Sequence, residues 1–210
     1  MATRGGKRLL NRQDWTRAAL DSLAEGGVAG VAIDRLAKQL GASRGSFYWH
    51  FRDRRELIDA ALEQWEREDT TELIPDAEAI SDPVERLRYV FREVYERPAD
   101  EIEIALAAAA DDPLVASAFA RVTHARLQFL RRIFVELGLE DHEADDRAWL
   151  AYAFYIGHHH LGRNEEIRST QPTRLDTLVE LMTSPAAAAR PASVPARSPS
   201  HRPKPRRARS

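Results

Sequence analysis

The chain of 210 residues contains no cysteine, which excludes disulfide bonds and thiolate zinc sites. It also has no apolar run approaching twenty residues, so we expect no helix that spans a membrane. The first ten residues carry charge without an apolar block, which argues against a signal peptide. These absences favour a cytoplasmic protein. Aromatic residues make up only 8% of the chain, so a local cluster of them is informative.

Charge is distributed unevenly along the chain, although the formal net charge is only -2. Residues 1–60 carry 11 Lys/Arg against 7 Asp/Glu, whereas residues 61–184 carry 13 against 26. Residues 185–210 add seven basic residues and no acidic one. An acidic body repels a polyanion such as DNA, so only the basic N-terminal part is expected to bind one.

Hydrophobic periodicity predicts an all-α protein, because apolar residues recur at helical spacing and no strand alternation is present. A stripe of Ile33, Leu36, Ala37 and Leu40 defines a second helix after a first that begins beyond Asn11 and ends at Gly26-Gly27. Further helices are predicted from Asp53, from Pro83, and over 99–109, 111–137, 141–161 and 173–183. The middle of helix 141–161, Ala148 to Ile156, is apolar on all sides, which predicts burial all round.

The most informative segment is Gly41-Ala42-Ser43-Arg44-Gly45-Ser46-Phe47-Tyr48-Trp49-His50-Phe51. Gly41 ends one helix and Ser43 caps the next, which is short and spans 44–50. At 100° per residue, Phe47 and Phe51 face inward while Gly45, Ser46 and Trp49 face outward. An outward tryptophan on a small basic domain indicates a helix that is covered by DNA in a groove.

Each outward residue suits one part of this contact. Base reading is assigned to Arg44, Gly45, Ser46 and Trp49, through guanine recognition, close backbone approach, hydrogen bonding and apolar contact with thymine. Phosphate contact is assigned to Tyr48, His50 and Arg54, which flank the outward face. Ala37 and Gly41 support a helix-turn-helix, because a small residue allows close crossing and glycine allows the left-handed turn.

Residues 9–65 resemble the N-terminal domain of TetR-family transcriptional regulators. The segments that carry the resemblance are Leu40-Gly41-Ala42-Ser43, Phe47-Tyr48-Trp49-His50-Phe51 and Arg54-Arg55-Glu56-Leu57. The resemblance covers about a quarter of the chain. It implies a homodimer with a three-helix DNA-binding head and a larger helical body that binds a small effector and releases a palindromic operator. The family often has a threonine cap at the start of the second helix, where this chain has Val31-Ala32-Ile33, so we expect a weaker backbone anchor there.

The resulting division of the chain has four parts. Residues 1–10 form a flexible basic arm, 11–55 the helix-turn-helix domain, 56–184 the effector-binding and dimerisation domain, and 185–210 a disordered basic tail. We expect a repressor and not an enzyme, with no cofactor and no bound metal. The alternative is a helical-bundle ligand- or metal-binding protein or enzyme without sequence-specific DNA binding.

The body contains no specific motif, and its pocket residues are therefore chosen by chemistry alone. Aromatic and titratable side chains that could line an effector pocket are Trp65, Phe91, Tyr95, His124, Tyr152 and His158. His158-His159-His160 invites a metal hypothesis, but consecutive helical residues point about 100° apart and cannot converge on one ion. The long helix 141–161 and the helix 173–183 are expected to form the dimer bundle.

Overall fold

A computed structural model describes residues 10–95, 101–168 and 175–184 of the chain. Its helices are α1 (Arg12–Gly30), α2 (Ile33–Gln39), α3 (Arg44–Tyr48), α4 (Arg54–Glu66), α5 (Leu73–Glu78), α6 (Pro83–Tyr95), α7 (Glu101–Ala108), α8 (Ala116–Glu136), α9 (Asp141–Gly162), α10 (Glu165–Arg168) and α11 (Leu175–Thr183). A π-helical turn, Arg67–Thr71, joins α4 to the segment before α5. The described residues contain no strand, so the all-α prediction is confirmed. The basic tail and nearly all of the basic arm lie outside the described residues.

Helices α1 to α3 begin and end where the capping residues place them, with two differences. Asn11 forms a reciprocal capping box with Asp14 at the start of α1. The predicted end of α1 at Gly26-Gly27 is a kink, because Gly27 has a φ of +60° and helical structure resumes to Gly30. The Ser43 side chain accepts from the backbone N–H of Ser46, but α3 ends at Tyr48, two residues earlier than predicted.

The turn between α2 and α3 depends on Gly41, whose φ of +61° lies in the left-handed region that favours glycine. The Ala42 N–H donates to the Ala37 carbonyl oxygen at 2.8 Å, which closes the end of α2. Ala32 is the N-cap residue of α2 and provides no side-chain cap, as expected from the missing threonine. The two helices therefore meet in a tight helix-turn-helix.

A first hydrophobic core joins the head to part of the body. Trp15, Phe47 and Phe51 pack with the buried side of α4, and Leu106 and Val122 from α7 and α8 complete the cluster. Helix α1 packs against both α4 and α7. Helix α4 runs across the predicted domain boundary at 55, so head and body share one core there.

A second core fills the body, between α6, α8, α9 and α11. It contains Phe91, Phe129, Ile133, Tyr155 and Met182. The predicted burial of α9 on all sides is wrong in the single chain, because α9 packs on this core with one side only. Trp149 is 61% exposed and Phe154 is 44% exposed on its other side. Within the described ranges, no helix is long and apolar enough to cross a membrane.

Gly30 allows a test of the close backbone approach between the end of α1 and Ser22. A Cβ atom built at Gly30 lies 2.6 Å from the Ser22 carbonyl oxygen, whereas one at Gly26 meets nothing within 4 Å. We expect Gly30→Ala to lower the free energy of unfolding by about 1–3 kcal/mol through overpacking. Gly26→Ala is the control, with an expected change below about 1 kcal/mol. Urea unfolding measures both, and equal effects would contradict the close approach at Gly30.

Candidate DNA-binding surface and ligand cavity

Helix α3 presents one face to the core and the other to solvent. Phe47 is fully buried, with its ring centre 5.5 Å from that of Trp15 and 5.6 Å from that of Phe51. Trp49 is 87% exposed and Tyr48 is 50% exposed. Such large aromatic exposure on a rigidly anchored helix marks a surface that binds a partner. The inward and outward sides of α3 therefore lie as the sequence predicts.

The remaining predicted base-reading residues share the exposed start of α3. Arg44 and Gly45 are exposed and Ser46 is half-buried. A guanidinium nitrogen of Arg44 lies 3.4 Å from Asp34 of α2. The pKa of Arg44 is raised by a hydrogen bond to Tyr48 and by the charge of Asp34. Exposed ion pairs of this kind contribute little to stability, so Arg44 can exchange its partner for a base or phosphate.

Arg54, which is assigned to phosphate contact, has side-chain partners within the head, whereas the bond at His50 involves its backbone carbonyl and not its imidazole. The His50 carbonyl oxygen accepts from Arg12 at 2.6 Å, and the Arg12 guanidinium lies 4.2 Å from the centre of the Phe51 ring. Arg54 donates to the carbonyl oxygens of Val31, at 2.6 Å, and Val28. These bonds hold the loop before α2, so Arg54 is a structural donor in the free protein, and its assignment to phosphate contact stays a prediction.

A cavity of about 370 Å³ opens in the body, beside the end of α4. Its size falls in the range of small-molecule sites. Most of its wall is apolar or aromatic, with polar groups on the side nearest the head. The lining residues include Arg17, Glu68, Asp69 and Thr70 on that side, and Val90, Phe91, Tyr95, Phe129, Leu130, Tyr152, Tyr155 and His159 elsewhere.

The cavity corrects half of the predicted effector-pocket residues. Phe91, Tyr95 and Tyr152 line it as expected. Trp65 does not, because it is buried in the first core and stacks on Phe119 at 6.5 Å. His124 and His158 are also absent from the wall. His124 is exposed on α8, and His158 packs against Tyr95, with ring centres 5.3 Å apart.

Arg126 of α8 lines the cavity and forms an ion pair with Glu103 of α7, which is not among the lining residues. Arg126 Nη1 lies 2.8 Å from Glu103 Oε2, and Glu103 is fully buried. Tyr152 donates to the other carboxylate oxygen at 2.9 Å and lies 3.1 Å from the Thr123 hydroxyl. Arg126 Nε donates to Thr70 Oγ1 at 3.0 Å. This network joins α7, α8, α9 and the π-helical turn around the cavity.

Burial sets the protonation states in this network. Burial raises the pKa of Tyr152, with a further contribution from the charge of Glu103, and burial also raises the pKa of Tyr95. Burial alone would lower the pKa of Arg126, but Glu103 and the two tyrosines Tyr155 and Tyr152 outweigh it and raise the pKa. The cavity therefore holds a permanent cation beside neutral tyrosines at physiological pH.

The three consecutive histidines diverge, as the helical geometry predicts. His159 is buried, with Nε2 at 2.7 Å from the Val94 carbonyl oxygen. His158 is half-buried, and its pKa is lowered mainly by burial and also by the charge of the neighbouring His159. His160 is exposed. Across the described ranges, no three metal-ligating side chains come together.

Comparison with known proteins assigns the head to a family. Residues 16–61 match the profile of "Bacterial regulatory proteins, tetR family". The chain is 45% identical over 62 residues to the tetracycline repressor protein class A from transposon 1721 of Escherichia coli, covering 30% of this chain and 29% of that protein. The N-terminal domain of this chain is therefore similar to that of TetR-family regulators. The alignment thus spans less than a third of that relative's length.

Solved structures of TetR-family and related regulators share the fold over most of the chain. A TetR transcriptional regulator from Legionella pneumophila superposes with a TM-score of 0.69 at 12% identity, over 83% of this chain and 98% of that one. AibR, solved with isovaleryl coenzyme A and operator DNA, gives a TM-score of 0.64 at 16% identity, over 83% and 99%. These likenesses concern the fold, including the helical body that follows the TetR-family head.

Arg126 and Glu103 are the cavity residues that the sequence reasoning missed. Arg126 lies four residues after Val122 and three before Phe129, on the apolar stripe of α8. Glu103 lies between Ile102 and Ile104 in α7. A charged residue on an apolar stripe needs a buried partner, and that pattern could have identified both residues.

The position of Arg54 predicts a stability effect in the absence of DNA. Removing its side chain leaves the Val28 and Val31 carbonyl oxygens without this donor, so we expect Arg54→Ala to lower the free energy of unfolding by about 2 kcal/mol. Arg55→Ala is the matched control, because Arg55 is exposed and pairs with Asp59 at 3.8 Å. Urea unfolding of the free protein distinguishes them. An Arg54→Ala variant as stable as Arg55→Ala would restore Arg54 to the phosphate-contact group.

Proposed function

We propose that this chain is a ligand-responsive transcriptional regulator that represses by binding a palindromic operator as a homodimer. The observation that carries the proposal is the exposed α3 face of Trp49 and Tyr48, held by buried Phe47 and Phe51 within a TetR-family head. The AibR structure, with both a ligand and operator DNA, supports extending this to the body. Operator binding requires the compartment that holds DNA, so the proposal places the protein in the cytoplasm.

DNA recognition uses the start and outward side of α3. Arg44, Ser46 and Trp49 read base edges in the major groove, with Gly45 allowing close approach. Tyr48 and the exposed cations of the head contact phosphates and fix the position of the helix. Two heads on a two-fold axis read half-sites about one helical turn apart.

The structural effect of ligand binding is transmitted to the head through the end of α4. Glu68, Asp69 and Thr70 of the π-helical turn form part of the cavity wall and directly continue α4. Glu68 accepts from Arg17 of α1 at 3.1 Å and from Gln64 of α4 at 2.9 Å. A ligand that displaces this turn therefore moves both helices that support α3, and the spacing of the two heads changes.

The dimer forms through the exposed apolar side of α9 together with α11. Trp149, Leu150 and Phe154 are exposed on α9, and Leu181 is 67% exposed on α11. Arg147 of α9 donates to the carbonyl oxygens of Leu181 at 3.1 Å and Ser184 at 2.7 Å, which fixes the two helices side by side. Burial of such a continuous apolar face is the driving force expected for a homodimer.

The first test is fluorescence-anisotropy binding to the DNA that flanks the coding region, at two salt concentrations. We expect tight binding to the native fragment, weak binding to a scrambled duplex, and affinity that falls steeply with salt. Equal weak binding to both duplexes, followed by no enrichment from a random-sequence library, would overturn the proposal. Single variants then separate the roles, because Arg44→Ala and Ser46→Ala should change the preferred sequence. Tyr48→Phe should instead weaken all sequences alike.

The dimer prediction is tested by placing a charge in the exposed apolar face. We expect Trp149→Glu to convert the dimer to a monomer at micromolar concentration, because the interface would bury an unpaired carboxylate. Val135→Glu is the control, since Val135 is an exposed apolar residue on α8, away from this face. Sedimentation velocity reports the mass of each variant. A Trp149→Glu protein that remains dimeric would place the interface elsewhere.

A further inference from the structure

Arg126 has donor capacity at the cavity wall that the protein does not use. Of its five N–H bonds, one from Nε meets Thr70 Oγ1 at 3.0 Å and one from Nη2 meets the Asp69 carbonyl oxygen at 3.4 Å. Nη1 is buried and is occupied by the ion pair with Glu103 Oε2 at 2.8 Å, whereas the second N–H of Nη2 has no acceptor among the contacts of the described residues. A buried guanidinium with unused N–H bonds gains free energy from an added acceptor.

The charges around the cavity disfavour a ligand that carries a formal charge. Arg126 is paired with Glu103, and Arg17 is paired with Glu68 at 3.1 Å. The two other lining carboxylates, Asp69 and Glu93, also have interactions within the protein. An anion that approached Arg126 would also approach Glu103, and a cation there would meet the guanidinium itself. A charged ligand would therefore lose its hydration without a matching counter-charge.

The rest of the wall favours an apolar ligand body. Phe91, Phe129, Leu130 and Tyr155 line the cavity, and the Arg126 guanidinium lies 5.9 Å from the centre of the Tyr155 ring. Two of the three lining tyrosines donate within the protein, Tyr95 to the Ala151 carbonyl oxygen at 3.0 Å and Tyr152 to Glu103. The third, Tyr155, also has an interaction within the protein. Directional recognition is thus concentrated at one donor, Arg126.

We propose that Arg126 is the ligand-recognising side chain of this cavity. Its ligand is a neutral, largely apolar molecule that presents a carbonyl-type acceptor oxygen to the guanidinium. Recognition of the ligand stands independently of DNA, whereas its consequence for the operator rests on the proposed function. The effect on the operator follows because the Arg126 guanidinium also donates to the Thr70 hydroxyl and to the Asp69 carbonyl oxygen. A ligand oxygen that draws the guanidinium away weakens these two hydrogen bonds and so loosens the π-helical turn.

The test compares benzophenone with 1,1-diphenylethylene, a molecule of nearly identical shape in which a CH₂ group replaces the carbonyl oxygen. Isothermal titration calorimetry on the full chain measures binding of each. We expect benzophenone to bind about tenfold or more tightly, since a hydrogen bond from a charged donor has this effect. We expect the charged analogue 4-benzoylbenzoate to bind more weakly than benzophenone.

Variants assign the preference to Arg126. In Arg126→Met the ratio of the affinities for benzophenone and 1,1-diphenylethylene should fall from about ten to about one. Because that change leaves Glu103 buried without its partner and can prevent folding, the double variant Arg126→Met/Glu103→Gln removes both charges together. It should show the same loss of preference in a folded protein, as judged by circular dichroism. Arg132→Met is the matched control, since Arg132 lies on the same helix, is half-exposed, and pairs with Glu78.

The outcomes separate this inference from the proposed function. Equal affinity for the two probes, no binding of either, tighter binding of 4-benzoylbenzoate, or a preference retained in the double variant would overturn the role of Arg126 or the ligand class. Selective benzophenone binding that disappears in the double variant supports it. If such binding leaves the operator complex unchanged, recognition by Arg126 stands and ligand-controlled repression fails.

Discussion

The packing of α4 into the first core is the constraint that links the two functional surfaces. Its buried residues are Leu57, Ile58, Ala61, Leu62, Gln64 and Trp65, so the helix is held against the head along most of its length. At its far end, α4 continues into the π-helical turn whose residues line the cavity. Protein interiors are close-packed, so α4 cannot slide across the head without cost. In the proposed function, displacement at the cavity is therefore transmitted to α3 as movement of the whole head.

The buried pair of Arg126 and Glu103 is better explained by function than by stability. Removing two charges from water costs several kcal/mol per ion, and apolar residues of similar volume often serve stability as well. Within this pair, Arg126 Nη1 and Glu103 Oε2 lie 2.8 Å apart, Glu103 Oε1 accepts from Tyr152, and Nη2 of Arg126 has a second N–H beyond its bond to the Asp69 carbonyl oxygen. The pairing balances the two charges and, in the proposed role of Arg126, leaves that donor for a ligand. Such an arrangement selects a ligand by a hydrogen bond and not by charge.

The head could be predicted from the sequence because its determinants are local. Gly41, Ser43 and the spacing of Phe47 and Phe51 specify a turn, a cap and an inward face within eleven residues. The cavity could not, because its wall combines side chains from α6, α7, α8, α9 and the π-helical turn. Aromatic character selected Phe91, Tyr95 and Tyr152, which line the cavity, but it could not show which way Trp65 faces. The sequence did not show that Arg54 donates within the head, because its acceptors, Val28 and Val31, lie more than twenty residues earlier.

Helix α9 belongs to both the cavity and the exposed apolar face, and this double role restricts how a ligand can act. Tyr152 and Tyr155 line the cavity, while Trp149 and Phe154 are exposed on the other side of the helix. In the proposed dimer that exposed side is buried against the partner, so α9 is fixed from outside. A ligand that expands the cavity then displaces the opposite wall, where the π-helical turn is held by hydrogen bonds from Arg126 and Arg17. Dimerisation thus directs the movement toward the DNA-binding head.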